Sequence, residues 1–221
     1  MFWLGIDTAT RRASIALAPA PGAVRSLQPG GGHSPELLGA IEELLAQAGA
    51  TAKDLAGIGV ALGPGSFTGV RVGLSTAKGL GYALGIGVGG LSTLELLARA
   101  SGLPPGSLVC AAVEAGRGEV YAAEFLIVEG GGVERRSPDR TLPPARLALE
   151  LLEGTALAGD GADVVRSCAL ERLRTVATGP LAPVLAAWAV DALPAGTPYR
   201  PGGPAPNYIR PSDGEKPRAG S

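Results

Sequence analysis

The chain has 221 residues, 46% apolar and 18% charged, enough for a sizeable core in one large domain or two small ones. Its formal net charge of −1 argues against a protein that grips nucleic acid or an anionic membrane through a basic face of its own, so contact with nucleic acid would fall mainly to a partner. The single histidine, His33, leaves no His pair and no Cys–His cluster of zinc spacing, which removes most metal-hydrolase and acyl-transfer chemistry. The 35 glycines and 19 prolines approach the share seen in low-complexity chains, about 25–30%. They sit among periodic apolar runs, however, and so belong to a folded domain biased toward Ala, Gly and Pro.

From the start of the chain, FWLGIDT (2–8) reads as a buried strand ending in an acid. ASIALAP (13–19) follows after a short turn, and the two form a hairpin. SPELLGAIEELLAQAG (34–49) is a helix with Ser34 as N-cap and Pro35 at the first helical position. Its Leu37, Leu38, Ile41, Leu44 and Leu45 make one apolar face. His33 just before it is a helix-entry residue rather than a ligand. GIGVALG (57–63) is a strand, a Gly-rich loop follows at 63–66, and a helix begins. IGVGG (86–90) is another strand, and Ser92 opens a helix with Glu95 three residues on, a capping-box spacing.

SGLPPGS (101–107) is a linker, beyond which the order repeats. SLVCAAVEAGRGEVYAAEFLIV (107–128) is again strand, turn, strand, and Glu114 ends its first strand as Asp7 ends the earlier one. PPARLALELLEG (143–154) is a helix. TALAGDGADVV (155–165) is strand, Gly loop and helix start, the counterpart of GIGVALGPGSF. These weakly similar halves predict two αβ lobes, an N-terminal lobe over 1–100 and a C-terminal lobe over 101–210. GPLAPVLAAWAVDAL (179–193) is a late helix, and residues 211–221 read as a disordered tail. Cys110 and Cys168, two distant cysteines, suit reduced thiols and a cytoplasmic setting. Met1–Thr10 lacks the basic start of a secretory signal. The uncharged runs 55–70 and 79–94, 16 residues each and as long as any in the chain, fall short of the about 20 apolar residues a membrane helix needs.

Three features could carry chemistry. Asp7, at the end of the first strand, could face a cleft between lobes and hold a metal through water or act as a base; equally, with Thr8 and Thr10 beside it, it could cap its own turn. The loop Gly63, Pro64, Gly65, Ser66 could cradle phosphate at a helix N-terminus. It lacks G-x-x-x-x-G-K-[ST], its Lys78 lies well down the helix, and a plain tight turn explains it as well. The helix itself is the third: Gly69, Gly73, Ala77 and Gly81 recur every four residues and form one smooth stripe. Gly costs a helix interior about 1 kcal/mol relative to Ala, so the stripe needs a reason. Close helix–helix packing, with helix 34–49 or with a second chain, supplies one; packing on the chain's own sheet is the alternative. Val70, Leu74 and Leu80 flank the stripe, with Arg71 and Lys78 placed to reach acids at its rim.

FWLGIDTAT, GPGSFTGVRVGLSTAKGL, GGLSTLELLA, EAGRGEVYAAEF and PNYIRP together resemble the TsaB (YeaZ) family, in order from about residue 2 to 211. GPGSFTGVR is the specific piece. The family commonly has Asp-Ala-Arg where this chain has Glu114, Ala115, Gly116 and Arg117, and 129–200 offers little to match. The resemblance implies the two-lobed α/β fold of the actin/Hsp70/sugar-kinase (ASKHA, RNase H-like) type. It also implies an accessory subunit with no catalytic or metal-binding residues and no cofactor of its own. Its partners would be a TsaD-like catalytic subunit and a TsaE-like ATPase, which hold ATP or ADP and a metal ion. The complex places threonylcarbamoyl on N6 of the adenosine next to the anticodon of tRNA, and the tRNA is held mainly by the partner. The resemblance puts the partner interface on Gly69, Val70, Arg71, Gly73, Leu74, Ala77, Lys78 and Gly81, with homodimerisation when the chain is alone.

A rival reading is a stand-alone ATP-dependent phosphotransferase or nucleotide hydrolase of the same fold. Its nucleotide cleft would be made by Asp7, Thr8, Gly63, Gly65 and Ser66. A peptidase reading is disfavoured by the lone histidine.

Overall fold

A computed structural model describes residues 1–20, 22–27, 34–169 and 172–209. His33 and the expected tail, 211–221, lie outside them, and so does the side chain of Ser34.

The first sheet is built from β1 (Phe2–Asp7), β2 (Ser14–Ala18), β3 (Val24–Ser26), β4 (Leu55–Ala61) and β5 (Gly87–Leu91). Helix α1 (Ser34–Gln47) precedes β4, and α2 (Phe67–Leu84) links β4 to β5. The order is β3-β2-β1-β4-β5, with β1 and β2 antiparallel and β4 and β5 running parallel to β1. After β5 comes α3 (Thr93–Arg99). The second sheet uses β6 (Leu108–Gly116), β7 (Glu119–Ile127), β8 (Val133–Arg135) and β9 (Arg140–Leu142). Then follow α4 (Pro144–Glu150), β10 (Ala156–Ala158), α5 (Ala162–Ser167), β11 (Arg174–Val176) and α6 (Ala182–Ala192).

The second sheet repeats the first. β6 and β7 form the antiparallel hairpin, β10 runs parallel to β6, and β11 parallel to β10. β8 and β9 pair antiparallel with β7, as β3 does with β2. The weak similarity of the two halves is thus a duplicated topology. Central strands read as apolar runs because both faces are covered: every residue of β4 is buried.

The helices do not stay with their own halves. α3 follows the first sheet in sequence but packs on β6, β7 and β8, whereas α6 follows the second sheet but lies across β1, β2 and β4. Residues 182–209, assigned from sequence to the C-terminal lobe, therefore return to the first sheet. Close approach explains the glycines of β1 and β4. A Cβ at Gly5 would overlap the Ala182 carbonyl oxygen, and one at Gly59 would lie 2.8 Å from that of Leu185. One buried cluster, including Ala9, Val70, Leu94, Val109, Phe125 and Leu185, runs between the sheets. A second, with Leu4, Ile58, Leu37 and Leu44, lies between the first sheet and α1 and α2. A third, with Cys110, Leu147, Leu157 and Val165, sits under α4 and α5. Each such aliphatic side chain, fully buried, stabilises the fold by about 1.5–3 kcal/mol.

The capping box expected at Ser92 is half formed. Ser92 Oγ accepts from the Leu94 amide at 3.2 Å, but Glu95 turns down the helix to Arg99 at 2.8 Å. No described helix is long and apolar enough to cross a membrane.

Candidate functional site

Asp7 is fully buried at the end of β1. Its Oδ1 accepts from the amides of Ala9 (2.9 Å) and Thr10 (3.3 Å), and its Oδ2 from the Thr10 hydroxyl (2.6 Å). Both carboxylate oxygens thus hold the chain's own turn. Burial pushes the carboxyl up to about 6, against the opposing pull of the Thr10 and Ala9 hydrogen bonds. The neighbouring Thr8 hydroxyl donates to the Gly69 carbonyl at 2.7 Å, tying the same turn to α2.

The Gly63–Ser66 loop packs on that turn as well. The Ser66 amide donates to the Ala9 carbonyl at 2.8 Å, and a Cβ at Gly65 would overlap that oxygen. A Cβ at Gly63 would meet Asn207 and Val70. Ser66 caps α2 by accepting from the Gly69 amide at 3.2 Å.

The stripe on α2 answers why the helix is rich in glycine, and the answer corrects the expected one. A Cβ at Gly69 would overlap the Thr8 carbonyl oxygen, and one at Gly73 the Thr8 hydroxyl. At Gly81 it would overlap the side chain of Val88 on β5. Gly69, Val70, Gly73, Leu74, Ala77 and Gly81 are all buried against their own chain. The alternative, packing on the chain's own sheet, is the one that holds: the turn after β1 runs under α2, and Thr8 leaves no room for a side chain there. Of the eight expected interface residues, only Arg71 and Lys78 reach the outer side of the helix.

That outer side carries a different set of groups. The Arg71 guanidinium stacks over Phe67 at 3.7 Å, and Arg71 Nε donates to the Tyr208 hydroxyl at 3.0 Å. Phe67 and Tyr208 are themselves 5.4 Å apart and each about 40% exposed. Near the other end of α2, Tyr82 is 76% exposed and meets Tyr199 edge-on at 5.8 Å. Among the described residues, Arg71 and Lys78 have no ion-pair partner, so neither reaches the acids foreseen at the rim. Exposed Tyr, Phe and Arg side chains on one ridge are the composition of protein–protein contact centres.

Between the sheets lies a cleft of about 480 Å³. Its rim includes Thr10, Arg11 and Arg12 from the turn after β1, and Asp160 and Asp163 from the loop and helix after β10; Leu97, Val113 and Leu181 line it too. Arg11 Nη2 bonds Glu114 Oε2 at 2.5 Å and its Nε lies 3.6 Å from Asp160 Oδ2. Asp160 Oδ1 accepts from the Glu114 amide at 3.1 Å, and Arg12 Nη1 donates to the Thr178 carbonyl at 3.0 Å. Burial raises the Asp160 carboxyl; the Glu114 amide and Arg11 pull the other way. None of Asp7, Thr8, Gly63, Gly65 and Ser66 is among the residues lining this cleft. Sequence reasoning paired Glu114 with Asp7 but gave no role to Arg11, Arg12 or Asp160. The readable signal was the second Gly loop, GDG at 159–161, standing where the first half has GPG.

Comparisons with known proteins place this geometry. The family model described as TsaD, tRNA N6-adenosine threonylcarbamoyltransferase, matches residues 13–162. The tRNA threonylcarbamoyladenosine biosynthesis protein TsaB of Escherichia coli K12 is 35% identical over 145 residues, 64% of this chain and 62% of that protein. TsaB of Bacillus subtilis 168 is 37% identical over 110 residues, 50% of this chain and 47% of that one. The chain thus matches about half to three fifths of the length of these relatives. The solved structure of YeaZ from Pseudomonas aeruginosa superposes with a TM-score of 0.75 at 27% identity, covering 94% of this chain and 99% of that one. The duplicated sheets are those of the two-lobed ASKHA-type α/β fold, and the chain belongs to the threonylcarbamoyltransferase family, in its TsaB/YeaZ branch.

Proposed function

We propose that this chain is an accessory subunit in the synthesis of N6-threonylcarbamoyladenosine on tRNA, acting in the cytoplasm by binding and stabilising or activating a TsaD-type catalytic subunit. The observation that carries the accessory role is Asp7. Its place at the end of β1 is where an acid could face the cleft, yet both its oxygens are spent on Ala9 and Thr10. Such a carboxylate positions a turn, and being fully buried and absent from the lining of the cleft it offers no oxygen to a molecule bound there. The relatives named TsaB support the pathway. Docking uses the outer ridge of α2, where Phe67, Arg71, Tyr82 and Tyr208 are exposed and aromatic–cation contacts are already made. The same ridge serves self-association when the catalytic subunit is absent. ATP or ADP, a metal ion and most of the tRNA contact belong to the TsaD-type and TsaE-type partners.

The test is co-purification of the full chain with the TsaD-type protein of the same cell. Arg71→Glu together with Tyr82→Ala is expected to weaken association at least tenfold by light scattering or calorimetry, with an unchanged melting temperature. Undiminished association would overturn this docking surface. The cleft of about 480 Å³ keeps a second reading in play, a stand-alone ATP-dependent phosphotransferase or nucleotide hydrolase. Calorimetry with ATP or ADP and magnesium separates the two. Tight binding by the isolated chain, lost in Asp160→Asn on the lining of the cleft, would favour that enzyme.

A further inference from the structure

We propose that Arg11 and Arg12 form a weak, salt-labile clasp that gates the mouth of the inter-lobe cleft. The two arginines extend from a turn that is itself fixed, by Asp7 from below and by Ser66 and Gly69 from the side. They reach across to three points of the other lobe: Glu114 at 2.5 Å, Asp160 at 3.6 Å and the Thr178 carbonyl at 3.0 Å. Beneath them the cleft wall includes Leu97, Val113 and Leu181, each under 5% exposed.

The frame on either side does not need to move for this mouth to open. The shared buried cluster holds the lobes together, and α3 and α6 each cross to the opposite sheet. The clasp is of a different strength. The Arg11 side chain is 70% exposed and that of Glu114 38%. Exposed ion pairs are weak and screened by salt. Opening therefore means side-chain swinging at the rim, not hinge rotation of the lobes. Asp163 and Arg166, 3.8 Å apart, are the other charged pair beside this rim.

The experiment places a thiol on the cleft wall and times its alkylation. The full chain carries Val113→Cys, with Cys168→Ser to remove the exposed native thiol; Cys110 is buried, and burial pushes its thiol up to about 12. Iodoacetamide labelling is followed by mass spectrometry of the peptides. Arg11→Ala is expected to speed labelling of the new thiol by roughly two- to fivefold, the range set by an exposed ion pair. Arg11→Lys should recover part of the protection. Raising sodium chloride to about 0.5 M should speed the parent but leave the Arg11→Ala chain unchanged, because salt and substitution remove the same contact. Equal rates with and without Arg11, or salt acting equally on both chains, would overturn the clasp. If Arg11→Ala lowers the melting temperature, Glu114→Gln and the salt arm on the parent decide the matter.

Discussion

At Gly73 the missing side chain is a requirement of the chain's own fold. A Cβ there would overlap the Thr8 hydroxyl, which is itself held on the Gly69 carbonyl. Gly73→Leu should therefore lower the stability of the isolated chain by about 3 kcal/mol, on the scale of overpacking in a core. Gly79, six residues on, has open space around its Cβ position. Gly79→Ala should raise stability by up to about 1 kcal/mol, because nothing opposes the better helix former. Urea denaturation of the two variants checks both signs, and a stable, folded Gly73→Leu chain would contradict the packing described. Asp7 yields a pH dependence. Its folded carboxyl titrates at about 6 against 3.8 for an ordinary one, so between these values the folded state binds the extra proton. Unfolding free energy then falls as pH rises through that window, by a total of about 3 kcal/mol. Asp7→Asn keeps an acceptor for the two amides and removes the titration. The stability of the parent relative to the variant should rise by roughly 2 kcal/mol on going from pH 7 to pH 4, and a flat difference would refute the buried, raised carboxyl.

Among the elements, the duplicated hairpins and the parallel strands after them were legible because apolar runs stop at Gly or at an acid. β3, β8, β9 and β11 were not, since each is three residues long, too few to show a period, and lacks the Gly loop that marks the equally short β10. The direction of the α2 stripe was not legible either. Glycines announce a close approach without naming what approaches, and the answer, Thr8, is 61 residues from Gly69 in sequence. Arg11 and Arg12 escaped for a related reason. A pair of arginines in a short turn resembles solvated surface until the second sheet brings Glu114 and Asp160 opposite. The late helix was readable as a helix, whereas its docking on the first sheet depends on glycines at positions 5 and 59 that look merely permissive in sequence.

For the molecule as a whole, the crossed helices and the cluster shared between the sheets predict a single cooperative transition. Trp3, whose Nε1 donates to the Leu193 carbonyl at 2.7 Å, and Trp188 on α6 both report on the first sheet. Far-ultraviolet circular dichroism reports on both sheets. The two probes should give coincident midpoints in denaturant, and a separated second transition in the dichroism would show that the lobes unfold independently.

The exchange of α3 and α6 has a bearing on descent. A duplication in which each half kept its own helices would leave either half separable. Here each half shelters its neighbour's sheet, so a truncation at the joint would bare an apolar surface on both products. Neither half can be deleted, replaced or shuffled into another gene alone without that exposure, which makes the pair one unit of inheritance.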